Sequence, residues 1–137
     1  MAYRRRYQIE FNHCDPAGIV FYPRYFELLN SVIENFFKDG LGRPFAQVIA
    51  EGNGSPTVTL EAQFTAPSRL GDLVDFTLHV RGVGRSSVDF HTILCGADGG
   101  MRAEFKHRVV WTQGLASAPW PDALRARLEA AMKEDTP

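Results

Sequence analysis

The stretch His13-Cys14-Asp15-Pro16-Ala17-Gly18-Ile19-Val20-Phe21-Tyr22-Pro23-Arg24-Tyr25-Phe26 decides how this chain folds. It sets one acid, Asp15, in a loop containing Pro and Gly, immediately before an apolar helix. Pro23 suits a first helical position, because its missing N–H would have had no partner there. Leu28, Leu29, Val32, Ile33, Phe36 and Phe37 then recur at helical spacing, and Gly40 ends the run. The spacing predicts a loop over 13–22 and a main helix over 23–39. Backbone N–H groups at a helix start lack intrahelical partners and favour negative charge nearby. An acid beside such a start suits chemistry in which a carbonyl oxygen gains charge.

Outward from the helix, the pattern becomes that of strands. Tyr7, Ile9 and Phe11 alternate with Gln8, Glu10 and Asn12, which predicts a strand over 3–12. Pro44 to Glu51 reads as a short helical piece before Gly52-Asn53-Gly54. Val58, Leu60, Ala62, Phe64 and Ala66 are predicted to share one face, with Thr57, Thr59, Glu61, Gln63 and Thr65 opposite. Val74 to Val80, Val88 to Leu94 and Ala103 to Trp111 alternate in the same way. Turn signals at Pro67–Asp72, Gly82–Gly84 and Gly96–Gly100 separate these runs and predict an antiparallel meander. After Pro119 and Pro121, residues Asp122 to Lys133 read as a C-terminal helix. One long helix against such a sheet is an α+β layer pair. The whole of 1–137 reads as one domain.

Composition excludes several classes. A net charge of −1 gives no general affinity for nucleic acid. Arg4-Arg5-Arg6 is followed by alternation rather than by an apolar segment, so it does not open a signal peptide. No run is long enough to span a membrane. Cys14 and Cys95 form neither a disulfide framework nor a metal spacing, which fits a reducing, cytoplasmic setting. His79, His91 and His107 sit singly on separate predicted strands in packing or surface roles, and no metal or cofactor is expected.

The loop and helix start closely resemble the signature of the hotdog-fold 4-hydroxybenzoyl-CoA thioesterase family, in the type with an Asp in the loop before the central helix. The matching residues are Phe11, Cys14-Asp15-Pro16-Ala17-Gly18-Ile19-Val20, Tyr22-Pro23 and Tyr25. The likeness continues through Gly40-Leu41, Ser55-Pro56, Phe64-Thr65-Ala66-Pro67 and Gly71-Asp72. It implies a hotdog fold, an antiparallel sheet wrapped around a central helix. It implies an acyl-CoA substrate of benzoyl or hydroxybenzoyl type, hydrolysed to free acid and CoA. It also implies a homodimer, or a dimer of dimers, with sites at the shared interface.

Individual residues carry alternatives. An Asp before Pro often only organises a turn; the resemblance implies instead that Asp15 is catalytic, as nucleophile or as general base on water. The Tyr22 backbone N–H is the candidate for polarising the thioester carbonyl. Gly18 permits a turn or a close approach of substrate. Phe21 lines the acyl pocket or packs, and Tyr25 reads as a packing residue beside it. Cys14 matches a Cys that is not catalytic in the family. His13 and Asn30 stand where the resembling type carries acids. Asn30 therefore offers an amide to the acyl group, or simply faces solvent. The resemblance brings Ser55 and Thr57 to the partner's site, and Arg85, Ser86 and Ser87 to the CoA arm. An aliphatic acyl-CoA thioesterase and a non-catalytic acyl-CoA binder are the competing readings; a hydratase lacks its characteristic segment.

Overall fold

A computed structural model describes residues 2–135. In chain order it contains β1 (Tyr3–Gln8), α1 (Tyr22–Asp39), α2 (Phe45–Ala50), β2 (Asn53–Gly54), β3 (Thr57–Phe64), β4 (Leu73–Val83), β5 (Ser87–Gly96), β6 (Met101–Val110), β7 (Thr112–Gln113), β8 (Ala116–Ser117) and α3 (Asp122–Asp135). The main sheet is antiparallel, in the order β1-β4-β5-β6-β3. This α+β arrangement is the hotdog fold that the resemblance implied.

The inner face of the sheet is built from alternate residues. Val74, Phe76, Leu78 and Val80 on β4, Val88, Phe90 and Leu94 on β5, and Ala103, Phe105 and Val109 on β6 are buried. They pack with Tyr25, Leu28, Leu29, Val32, Ile33, Phe36 and Phe37 of α1. Burial of each such side chain is worth about 1.5–3 kcal/mol, which holds an 18-residue helix that solvent alone would leave marginal. Gly40 ends α1 in ordinary right-handed geometry, with φ −89°. It is required because a Cβ there would lie 2.7 Å from the Phe36 ring.

Several expectations are corrected. The first strand stops at Gln8 rather than residue 12, because the Ile9 N–H donates to the Asp72 carbonyl and Phe11–His13 turns into a short 3-10 helix. The helix starts at Tyr22, which makes Pro23 its second residue. The strands are not a simple meander. β4, β5 and β6 are joined by hairpins, but β1 holds the free edge of β4, so β3 crosses to the outer edge of β6. The period of β3 also breaks. A bulge between Thr57 and Thr59 sets Thr57 opposite Val109, on the inner side with Leu60, and not on the outer side with Thr59. The two-residue strands β2, β7 and β8 form a second small sheet beside α2 that no sequence signal marks.

Candidate active site

Residues 13–21 fold into a tight hairpin against the sheet. Its own bonds run from the Asp15 N–H to the Ile19 carbonyl (3.0 Å), from Gly18 N–H to the Asp15 carbonyl (2.9 Å) and from Phe21 N–H to the His13 carbonyl (2.9 Å). Gly18 has φ +78°, the left-handed region open to glycine at little cost, and a Cβ there would meet only open space. The hairpin is tied to the segment before β4, where Val20 N–H donates to the Ser68 carbonyl and Leu70 N–H donates to the Gly18 carbonyl.

That segment is itself latched. The Arg102 guanidinium donates to the Pro67 carbonyl at 3.0 Å, to Ser68 Oγ at 3.3 Å and to Asp72 Oδ2 at 3.2 Å. The Arg69 N–H bond at 2.8 Å holds the Asp72 carboxyl below its ordinary range, with Arg102 adding to the effect. Sequence reading missed this latch. Gly71-Asp72 marked a turn, but nothing local announces that Arg102 reaches across to it.

Asp15 is half-buried, and its Oδ1 accepts the Ala17 N–H at 2.9 Å. The neighbouring residues are turned elsewhere. His13 Nδ1 accepts the Glu10 N–H at 2.9 Å, and the Cys14 thiol faces the Glu10 carbonyl at 3.5 Å. His13 and Cys14 therefore form no nucleophilic dyad. At the helix start, Phe21 N–H is spent on His13, Pro23 has none, and Arg24 N–H donates to the Phe21 carbonyl. The Tyr22 N–H is left without a partner among the described residues, at the positive end of α1.

Around this start lies an aromatic rim. Phe21 and Tyr22 are exposed, with their rings 5.6 Å apart, and Tyr22 meets Phe64 of β3 at 6.2 Å. Tyr25 is buried and stacked on Phe64 at 5.6 Å, a packing role.

The other expected residues lie farther off. Asn30, Ser55 and Thr57 share a cavity of about 160 Å³ with Phe26, Leu29, Ile33, Phe45, Leu60, His107 and Val109. Asn30 lies eight residues beyond Tyr22, about 12 Å along the helix axis. Arg85, Ser86 and Ser87 occupy the β4–β5 turn. There the Ser86 carbonyl accepts Trp111 N–H, the Ser87 carbonyl accepts Trp120 Nε1–H, and Arg125 donates to the carbonyls of Gly84 (2.6 Å) and Arg85 (3.2 Å). The Asp15 hairpin sits near the start of β4 and this turn at its end, and the ends of that 11-residue strand lie about 34 Å apart. One chain thus does not bring all the expected residues together. A second concavity, about 790 Å³, opens on the outer face of the sheet, lined by Arg81, Asp89, His91, Lys106 and Arg108, and His107 borders it as well. Charges there pair with each other, Arg108 with Asp89 at 2.7 Å, and Asp15 is not among its lining residues. Among the described residues no group of three His, Cys, Asp or Glu side chains could hold a metal ion, and no helix is long and apolar enough to cross a membrane.

A sheet wrapped around one helix, with an acid in the hairpin before a helix start that has a free N–H, is the arrangement that the hotdog-thioesterase resemblance implied. Residues 9–128 match the thioesterase-like superfamily. A 4-hydroxybenzoyl-CoA thioesterase of Pseudomonas sp. (strain CBS-3) is 34% identical over 97 residues, 68% of each chain. A solved gentisyl-coenzyme A thioesterase is 28% identical, with a TM-score of 0.83 over 90% of this chain and 99% of its own. A Staphylococcus aureus protein in complex with CoA shares the fold at a TM-score of 0.92 and 13% identity, over 100% of this chain and 87% of its own. The chain belongs to the thioesterase-like superfamily and, within it, to the 4-hydroxybenzoyl-CoA thioesterase family. It is a thioester hydrolase.

Proposed function

We propose that this enzyme hydrolyses a benzoyl-type CoA thioester to the free acid and CoA. Asp15 attacks the thioester carbonyl, or removes a proton from the attacking water, while the Tyr22 N–H donates to the carbonyl oxygen as it gains charge. In the first route the carboxylate expels CoA thiolate and forms a mixed anhydride, which water then opens. In the second, water adds directly and CoA thiolate leaves.

The observation that carries this reading is the hairpin geometry: a carboxylate fixed by Ala17 N–H, on the same short loop as the unpartnered Tyr22 N–H of a helix start. The activity of the two relatives named above on aromatic CoA thioesters supports the substrate class.

The separation of the expected residues supports a two-fold dimer. β3 is an edge strand whose residues are exposed apart from a half-buried Ala62, Val58 and Leu60 among the exposed ones. An edge of this kind is a template for a second strand. β3 runs from Thr57 to Phe64, and α1 runs the other way, with Tyr22 over Phe64 and Phe36 against Tyr3 and Phe90. Antiparallel pairing of two β3 edges would set Asp15 of one protomer near the Asn30–Ser55–Thr57 cavity of its partner. The Arg85-Ser86-Ser87 turn of that partner would then face the CoA arm, where an Arg and hydroxyl groups suit phosphate. Phe21 and Gly18 would border the thioester.

The test is release of free CoA thiol from benzoyl, hydroxybenzoyl, phenylacetyl and short aliphatic thioesters by wild type and Asp15→Asn. Release from aromatic members that collapses in the variant is expected. Preference for the aliphatic members would overturn the substrate class, and full activity of the variant would overturn the role of Asp15.

A further inference from the structure

The reading above rests on the hairpin; the cavity at the far end of β3 holds a group it does not use. His107, on β6, is 95% buried, its relative exposure being 5%. Burial pushes its imidazole down to about 4, so it is neutral at ordinary pH. Its Nδ1 is sealed from solvent and has no hydrogen-bond partner. A buried polar atom without a partner is rare and calls for an explanation. The ring packs on Phe90 at 5.3 Å, which fixes its plane, and it lines the same cavity as Asn30, Ser55 and Thr57.

Of the two neutral tautomers, one carries its proton on Nδ1 and buries an orphaned donor. The other carries it on Nε2 and buries only a bare lone pair, which is the more commonly tolerated defect. The second tautomer leaves an N–H donor on Nε2, on a ring that lines this cavity. The cavity volume of about 160 Å³ suits one aromatic ring; an apolar cavity of about 150 Å³ is enough for benzene. Most of the wall is apolar, from Phe26, Leu29, Ile33, Phe45, Leu60 and Val109. The polar groups converge from Asn30, Ser55, Thr57 and His107.

We propose that His107 is a specificity-determining residue, donating from Nε2 to an oxygen substituent on the ring of the acyl group, with the Asn30 amide beside it. This deepens the thioesterase reading and rests on it: the ring that fills the cavity is the one whose carbonyl reaches Asp15 of the other protomer. The ligand class is an aroyl thioester bearing a hydroxyl or methoxyl oxygen, which His107 separates from a plain benzoyl group. Sequence alternation on β6 left His107 in a packing or surface role, because it says which way the residue points and not what its second nitrogen lacks.

The experiment compares kcat/KM for benzoyl-CoA, 3- and 4-hydroxybenzoyl-CoA and 4-methoxybenzoyl-CoA in wild type, His107→Leu and His107→Gln. Loss of one hydrogen bond is expected to lower the ratio of the best oxygenated substrate to benzoyl-CoA by about tenfold in His107→Leu. His107→Gln, which keeps an N–H donor, is expected to recover most of that ratio. An unchanged ratio, or equal losses on all substrates, assigns His107 to packing and overturns the inference. Should His107→Leu fail to fold, nitrogen NMR of wild type reads the same point: the His107 Nε2 resonance moves with 4-methoxybenzoate and not with benzoate, or the inference falls. No thiol release from any thioester by wild type would overturn the thioesterase reading instead. In that case binding of the free acids by wild type and His107→Leu tests His107 by the same ratio.

Discussion

The helix start that follows the Asp15 hairpin meets the β3 edge at Phe64, and the chain treats hairpin and edge in opposite ways. The hairpin is closed within the chain: its backbone bonds are made internally, to the preceding Glu10 and Phe11 or to residues 68–70, and Arg102 latches the segment it rests on. β3 is left open, with one side paired to β6 and the other side free. The group proposed to do chemistry is fixed before any partner arrives, while the residues proposed to choose the acyl group lie next to an unfinished edge. Reactivity and selectivity are thereby assigned to differently built parts of one fold.

The largest expected effect breaks the closed side at its centre. Asp15→Asn keeps the shape of the turn and removes the proton acceptor, so kcat should fall about 10²–10⁴-fold with thermal stability almost unchanged; equal losses in both would mean that Asp15 only organises the loop.

The open side has an acid signature. The unfolded His107 imidazole titrates near 6.5 and the folded one near 4. Between those values the unfolded chain binds the extra proton, so stability should fall as pH drops from about 6.5 to 4, by about 3 kcal/mol in all. Asp72 has the opposite sense of preference, charged rather than neutral, and its lowered carboxyl makes stability fall only below about 3.8. Chemical denaturation at stepped pH separates the two windows, and His107→Gln should shrink the upper one alone, leaving the share of His79, whose imidazole burial also pushes down.

Loosening the latch comes next. Arg102→Leu strips three bonds from the segment beneath the hairpin and leaves Ser68, fully buried, without its partner. A loss of about 2 kcal/mol, or roughly 5–10 °C in Tm, is expected by calorimetry, with turnover falling in step. The smallest effect sharpens the comparison at its other pole. Val58→Glu puts a charge on an exposed apolar residue of the β3 edge, and sedimentation should show dimer dissociation raised tenfold or more. A wild type that is monomeric at all concentrations would remove the proposed partner altogether.

The sequence made the local half of this fold legible and the non-local half obscure. Leu28 to Phe37 announce α1 because a period of 3.6 shows in a short window, and the inner faces of β4, β5 and β6 follow from a period of two. Strand order is a different matter. Whether β3 lies beside β4 or β6 depends on β1 having taken the β4 edge, which no window near residue 60 contains. Thr57 was assigned outward because a bulge at Val58 leaves no mark in the alternation. Among the candidate site residues, the roles proposed came from the family resemblance, while the turn at Asp15 and Gly18 and a helix start close to Tyr22 were readable from turn chemistry. Arg102 and Arg125 were not, because each acts on carbonyl groups more than 30 positions away. The distance between Asp15 and Asn30 needed the helix axis before it became a statement about partners.

The strand order also has a consequence in time. β1 pairs with β4, whose first residue emerges from the ribosome 70 positions after Tyr3. At about 5–20 residues per second that is a wait of roughly 4–14 s. For the last 34 positions of it, from Asp39 to Leu73, the Phe- and Leu-rich face of α1 is complete and has no β4 to cover it. The helix that carries the proposed carbonyl-polarising N–H is therefore synthesised before the strands that shelter it.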